Sequence, residues 1–364
     1  MKNLIDRFRR LFHFYTGELN YNEFKKLINK DVPEVYEFYV KRMKKPAEGR
    51  NRFINFFKFL RNLFLEFLNQ LTPIRRIIYS FGLIFFIVGY FVNDWGWGLW
   101  GFILMNLLLA FELADKLTAK DELEVAREIQ INLMPQVPPE NKNYEISCYM
   151  DTAKEVGGDY YDFIKPGTED DKTFVIIGDV SGKGMSAALH MVQVQSILHN
   201  IVKANSSPKN ILQTLNTNLK RVLRKGTFLT LSVAEMNSSR EIVVSRAGHM
   251  PFLHFSKLTG QCLRIVPHGI GIGLANEQLF SDTIEEIIIK PEHGDLLVMF
   301  TDGIVEAMNS NYNNFGEENL IRLISQNAGK SAKEIQEIII GAIKNFTFSS
   351  PVQDDSTLIV MKAI

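Results

Sequence analysis

Four short turns bearing carboxylates carry the chemistry of this chain: Gly157-Gly158-Asp159, Gly178-Asp179-Val180-Ser181-Gly182, Thr301-Asp302-Gly303 and Gln353-Asp354-Asp355-Ser356-Thr357. Asp179 and Asp302 each follow an apolar run, while Asp354 and Asp355 precede another, Leu358–Met361. In an antiparallel sheet the end of one strand lies beside the start of its neighbour, so these carboxylates can meet at one rim. Asp159, after its Gly-Gly turn, supplies a further arm. Hard divalent cations such as Mg2+ and Mn2+ take oxygen ligands, and a metal pair needs several carboxylates arriving from different strands. The set therefore reads as a two-metal hydrolytic site. A single Asp-Gly pair is an ordinary turn, but four such turns, each bordering a buried strand, are not explained by turn chemistry alone. A P-loop reading of Gly178–Gly184 fails, because Gly184 stands where a metal-binding Ser or Thr should follow Lys183.

The elements that must hold these turns are legible from Tyr144 onward. Strands are predicted at Glu145–Tyr149, Thr173–Ile177, Phe228–Glu235, Ile242–Arg246, Ile284–Ile289, Leu296–Phe300 and Thr357–Lys362. Helices are predicted at Met185–Lys203, Pro208–Leu223, Glu317–Gln326 and Ala332–Asn345. The first of these carries its apolar stripe on Ala187, Met191, Val194, Leu198 and Ile201. Many strands with few long crossovers favour antiparallel sheets covered by helices, an α+β class, over a doubly wound parallel sheet. Residues 140–364 are expected to form this catalytic domain.

The front of the chain differs. From Ile77 to Phe111 there is no Lys or Arg, and Asp94 is the only charge. Two spans, Ile77–Val92 and Trp95–Leu113, fit if Asn93-Asp94 makes a tight turn, although the first is short for a bilayer that needs about 20 apolar residues. Residues 77–113 are thus expected to be a transmembrane helical hairpin, the alternative being a buried apolar hairpin in a soluble domain. Trp95, Trp97 and Trp100 cluster where an interfacial aromatic belt belongs, and Arg75, Arg76, Lys116 and Lys120 flank the hairpin. By the positive-inside rule both flanks, with the N-terminus and the catalytic domain, face the cytoplasm at the inner membrane. Residues 1–76 form a basic, helical region. Within it an amphipathic helix at 53–71 sets Asn55, Lys58, Asn62, Glu66 and Asn69 opposite Phe53, Phe57, Leu60, Phe64 and Leu68, as in a helix lying on lipid or packed on a hairpin or partner. Residues 114–139 form a connector whose stripe of Ala119, Leu123, Ala126, Ile129 and Leu133 suits either homodimerisation and signal relay or packing on its own domain. Pro135, Pro138 and Pro139 stop it.

Lys and Arg number 41, as do Asp and Glu, yet the basic residues crowd the front and the acidic ones the back. A basic front beside apolar segments points to anionic lipid, and an acidic catalytic half argues against nucleic acid as a partner. Cys148 and Cys262 are the only cysteines, without metal or disulfide spacing.

Five segments in order, Lys154–Asp162, Gly178–Gly184, Ala247-Gly248-His249, Phe300–Gly303 and Asp354–Thr357, resemble the bacterial PPM phosphatases of the SpoIIE/RsbU type, relatives of the type 2C protein phosphatases. Ile129-Gln130 with Leu133-Met134-Pro135 resembles the lead-in helix of that branch. The resemblance covers roughly Ala126 to Ile364 and implies an α/β/β/α sandwich, two antiparallel sheets flanked by helices, with two Mn2+ or Mg2+ ions at one edge. It implies that Asp159 and Asp179 hold the metals and their activated water, with Asp179 bridging. The Val180 carbonyl, Asp302 and Asp354 complete the cluster, with Asp355 as the alternative to Asp354. Such a cation pair lowers the pKa of a water and stabilises phosphoryl oxygens, so no protein nucleophile is required, and Ser181 is left as a loop or helix-start residue. Two departures stand out. The histidine that eukaryotic relatives carry beside the bridging aspartate is replaced here by Val180, Ser181 and Lys183, with His249 a substitute or a structural residue. Lys154 holds the place of their phosphate-binding arginine, five residues before Asp159, or is a solvated surface lysine.

The resulting expectation is a membrane-anchored serine/threonine phosphatase acting on an anti-anti-sigma (STAS) type regulator in a partner-switching pathway. The rivals are an inactive phosphoprotein-binding relative and a two-metal nucleotide cyclase.

Overall fold

The computed structural model describes residues 52–167, 172–204, 207–220, 222–223, 226–348 and 353–364, with side chains from residue 58 onward. The expected helical region ahead of residue 52 lies outside them. The chain divides into two compact units, one ending at Thr118 and one running from Ala119 to Ile364.

In the first unit, helix α1 (Arg52–Gln70) is followed by α2 (Pro73–Val92), and α3 (Trp95–Leu133) begins after a short turn. Pro73 starts α2 where a missing N–H costs nothing, so this helix begins four residues before the predicted span and reaches 20 residues. Asn93 closes it in the left-handed region at φ 55°, and the Asp94 carboxylate accepts from Gly96 N–H. Gly82, Gly89, Gly98 and Gly101 let the two helices approach closely, a Cβ on Gly89 falling 2.9 Å from the Gly98 nitrogen. Arg75 ties the other end, reaching Glu112 at 3.0 Å and Asp115 at 2.6 Å. Both helices are long and apolar enough to cross a membrane, with a mean hydropathy of 1.6 over their most apolar windows and only 11% of each window buried. That exposure is unlike a core hairpin of a soluble domain. The α1 face carrying Phe64 and Phe67 meets α2 at Tyr79, with ring centroids 6.2 and 5.3 Å away.

In the second unit, the described residues form ten strands in two five-stranded antiparallel sheets. The first has the order β1 (Tyr144–Asp151), β10 (Ser356–Ala363), β9 (Leu296–Phe300), β6 (Phe252–Ser256), β7 (Gln261–Ile265). The second has the order β2 (Asp159–Ile164), β3 (Thr173–Val180), β4 (Leu229–Met236), β5 (Ile242–Ala247), β8 (Glu286–Ile289). Helices α4 (Met185–Ala204) and α5 (Pro208–Leu219) cover the second sheet. A short helix α6 (Glu277–Thr283) packs beside α5, and α7 (Asp302–Val305) follows β9. The first sheet is covered by α8 (Glu317–Asn327) and α9 (Ala332–Thr347). The two-residue period of a strand divides the core. Leu297, Met299, Ile359 and Met361 face the second sheet, whereas Leu296, Val298, Phe300, Leu358 and Val360 face α8 and α9. This is the expected α/β/β/α sandwich.

The structure adds strands β2, β6 and β7 and helices α6 and α7 to those predicted, and it ends α5 at Leu219 rather than Leu223. The connector is the C-terminal part of α3, a single helix to Leu133.

Candidate active site

The acidic turns collect at one edge of the sandwich. Asp159 opens β2 and Asp179 sits near the end of β3, and the two are direct antiparallel register partners. Thr230 on β4 is the partner of Asp179 on its other side, so the three side chains share one face of the second sheet. Asp302 starts α7 immediately after β9, and Asp354 and Asp355 precede β10, the neighbour of β9. The first sheet thus brings its acidic ends to the rim where the second sheet presents Asp159 and Asp179.

Two glycines make room. A Cβ on Gly158 would lie 2.7 Å from the Val180 carbonyl oxygen and 3.0 Å from Asp179 Oδ1. A Cβ on Gly303 would meet the Asp355 backbone oxygen. Neither contact is compatible with a side chain.

Asp159 is 1% exposed. Its Oδ2 accepts from Thr301 Oγ1 at 2.8 Å and from Thr357 Oγ1 at 2.6 Å, while Thr357 N–H donates to Thr301 Oγ1. Burial pushes the Asp159 carboxyl well above the usual range, the Thr357 and Thr301 hydroxyls pull it back, and Asp179 and Asp355 push it further up. Desolvation, followed by Asp302, Asp354 and Asp355, raises Asp179 to about 7, against a smaller pull from Lys183. Asp302 is raised by desolvation and then by Asp354.

The two candidates at the last motif are separated by their contacts. Asp355 is engaged by the backbone, its Oδ1 accepting from Ala153 N–H at 2.8 Å and its Oδ2 from Gly158 N–H at 2.7 Å. Asp354 instead faces Lys183, with Nζ 2.7 Å from Oδ2, and Lys183 also donates to the Gln353 carbonyl. Asp354 is thus the carboxylate at the open side, and Asp355 the one that fastens the Gly157-Gly158 turn.

Lys154 is exposed and makes no ion pair among the described residues; its carbonyl accepts from Thr152 Oγ1. His249 is buried, with Nδ1 2.8 Å from Thr230 Oγ1, and the Phe300 backbone also acts on its ring. Desolvation and nearby Arg246 lower it to about 3, so the ring is neutral near pH 7. Ser181 Oγ accepts from Phe228 N–H, tying the loop after Asp179 to the start of β4.

Asp159, Asp179 and Asp302, raised by burial and then by their acidic neighbours, form an oxygen donor set that calls for cationic charge and fits hard divalent ions. Among the described residues no three acidic, His or Cys side chains already stand around a single point at ligand distance, and Lys183 supplies the positive charge at Asp354.

Sequence reasoning placed Thr301, Thr357 and Gln130 inside motifs but gave them no task. Gln130 on α3, 3% exposed, pairs with both backbone groups of Gly157, accepting from its N–H at 3.1 Å and donating to its carbonyl at 2.8 Å. A glutamine on the stripe side of an amphipathic helix was the available signal. Lys183 was discounted together with the P-loop reading.

The solved SiaA-PP2C domain of Pseudomonas aeruginosa shares this fold, with a TM-score of 0.60 at 18% identity, covering 68% of this chain and 98% of its own. A structure of RsbU and RsbW domains from a Mycobacterium tuberculosis protein matches with a TM-score of 0.51 at 22% identity, over 61% of this chain and 60% of its own. The sandwich is that of a PP2C-type phosphatase domain. The chain belongs to the family described as Stage II sporulation protein E (SpoIIE), whose model matches residues 169–364. It is 27% identical over 246 residues to phosphoserine phosphatase RsbU of Bacillus subtilis, covering 67% of this chain and 70% of that protein. Protein IcfG of Synechocystis is 29% identical over 286 residues, spanning 71% of this chain but 44% of that relative. The enzyme class that follows is protein serine/threonine phosphatase.

Proposed function

We propose that this is a membrane-anchored phosphatase that uses two Mn2+ or Mg2+ ions to hydrolyse phosphoserine or phosphothreonine on a STAS-type anti-anti-sigma regulator. The observation that carries the reading is the meeting of Asp159 and Asp179, paired in register, with Asp302 and Asp354 from the other sheet at one rim. Asp159, Asp179, the Val180 carbonyl, Asp302 and Asp354 would hold the cations. Bound there, such a pair supplies an acidified water and charge that stabilises phosphoryl oxygens.

The chain's own residues do the remainder. Thr301 and Thr357 fix the Asp159 carboxylate through one oxygen. Asp355 and Gln130 both hold the Gly157-Gly158 turn through its backbone. Lys183, half-exposed beside Asp354, is placed to meet an incoming phosphate dianion at the open side. His249, neutral and buried, serves packing rather than proton donation, and exposed Lys154 is left as an outlying positive charge. RsbU bears the name of a phosphoserine phosphatase, which supports the substrate class. The apolar, exposed α2–α3 hairpin supports two spans with cytoplasmic flanks.

The test is phosphate release from a phosphothreonine peptide with added Mn2+, comparing the parent with Asp179→Asn. The variant should lose more than the roughly 10–100-fold typical of changes to groups that only support a ligand. Equal rates would end the assignment, and turnover of ATP or GTP to a cyclic product would favour the cyclase rival.

A further inference from the structure

We propose that a groove beside the acidic rim is a specificity subsite that takes a branched apolar side chain of the substrate, one or two residues from the phosphorylated serine. The inference rests on the phosphatase reading and adds to it the chemistry of the flanking residue.

The groove encloses about 200 Å3 between the C-terminal end of β1, α7 and the C-terminal half of α9. Its base is formed by Ile304, Ile340 and Ile343, and the ring of Tyr149 makes one wall. Lys344 lies against that ring, its ammonium 5.8 Å from the centroid, which sets the aromatic wall in place at the mouth. An apolar cavity of roughly 150 Å3 already accommodates benzene, so this space suits a single leucine-sized group.

Position identifies the occupant. Lys183 and Asp354, which mark the open side of the acidic rim, also line the groove. An extended chain advances about 3.3–3.6 Å per residue, so a phosphoserine seated at the rim carries its near neighbours past the opening. The charges around the mouth are of both signs, Asp151, Glu306 and Asp354 against Lys183 and Lys344, so they single out neither an acidic nor a basic neighbour, and the isoleucine base selects the occupant. Tyr149 donates to Asp151 at 3.2 Å, which holds that carboxylate at the edge.

The experiment uses the full chain in detergent with Mn2+ and a set of phosphoserine peptides. A single position, within two residues of the phosphoserine on either side, is varied among leucine, glycine and aspartate. At one of these positions leucine should raise kcat/KM roughly tenfold over glycine and aspartate, the order expected for filling an apolar pocket. Thr347→Trp, at the exposed end of α9, and Met308→Arg, on the opposite lip, should each erase that preference. Both should hydrolyse p-nitrophenyl phosphate, which has no flanking residue, at the parent's rate. Equal kcat/KM for all peptides, or a leucine preference that survives both variants, would overturn the subsite while leaving the phosphatase reading intact. A parent that fails on p-nitrophenyl phosphate as well would overturn both.

Discussion

Asp159 is the most deeply placed carboxylate of the rim, and two hydroxyls converge on one of its oxygens. Thr301 stands at the end of β9 and Thr357 near the start of β10, in the first sheet, whereas Asp159 opens β2 in the second. The hydroxyl pair therefore fastens the sheets together at the point where the metals are proposed to sit, and among the described residues no hydrogen bond engages Oδ1. Hydrogen bonds to a charged group contribute about 1.5–3 kcal/mol, and groups that orient a ligand typically change metal affinity by about 10–100-fold. Thr301→Val and Thr357→Val, which keep the shape and remove the donor, should each weaken Mn2+ binding by at least tenfold in isothermal titration. Serine at either position should restore most of it. Parent-like affinity in both valine variants would show that the hydroxyls only pack. Asp179, Asp302 and Asp354 were legible in the sequence because each borders an apolar run, and Asp159 because it follows a Gly-Gly turn. The threonines were not, since a Thr at a strand end is equally a β-former, and only the pairing of β9 with β10 sets the two side by side.

At the scale of elements, the strands read most clearly where burial is continuous, as at Leu296–Phe300, predicted with its observed bounds. Strand β2 was missed because Asp162 interrupts its apolar pattern. That carboxylate is buried only because Tyr160 OH, His199 Nε2 and Phe163 N–H all surround it, a satisfaction no local window reveals. The β6–β7 hairpin was missed because β7 is an edge strand with little burial. Helix α3 was foreseen in pieces, and its connector stripe left open whether it packs on its own domain. Within the second unit Gln130 settles one face: it is paired with Gly157, two residues from Asp159. Gln130→Leu keeps the volume but leaves the Gly157 N–H and carbonyl buried and unpaired, at about 1–3 kcal/mol each. The turn should then hold Asp159 less firmly, so the Mn2+ concentration for half-maximal phosphatase activity should rise several-fold, with activity recovering at saturating metal. An unchanged metal requirement would mean that this helix does not reach the site through Gln130.

At the scale of the whole molecule, the two units present unlike surfaces. The second buries its apolar residues in two cores. The first exposes Tyr90, Phe91 and Trp95 at 82%, 79% and 87%, and a contiguous apolar exterior of that kind in water marks a missing partner surface. Lipid is the occupant we favour, because two helices of spanning length are joined by a two-residue turn, with basic residues on both outer flanks and none inside. On the proposed two-span topology the Asn93-Asp94 turn would lie on the outer side of the membrane and Lys120 on the cytoplasmic side. Cysteine substitution separates this from a hairpin folded against protein. With Cys148 and Cys262, which pack against the two cores, replaced by alanine, Trp95→Cys should react with a membrane-impermeant maleimide in intact cells, whereas Lys120→Cys should react only after the membrane is opened. Labelling of both engineered cysteines, or of neither, in intact cells would remove the two-span topology and with it the cytoplasmic placement of the catalytic unit relative to its anchor.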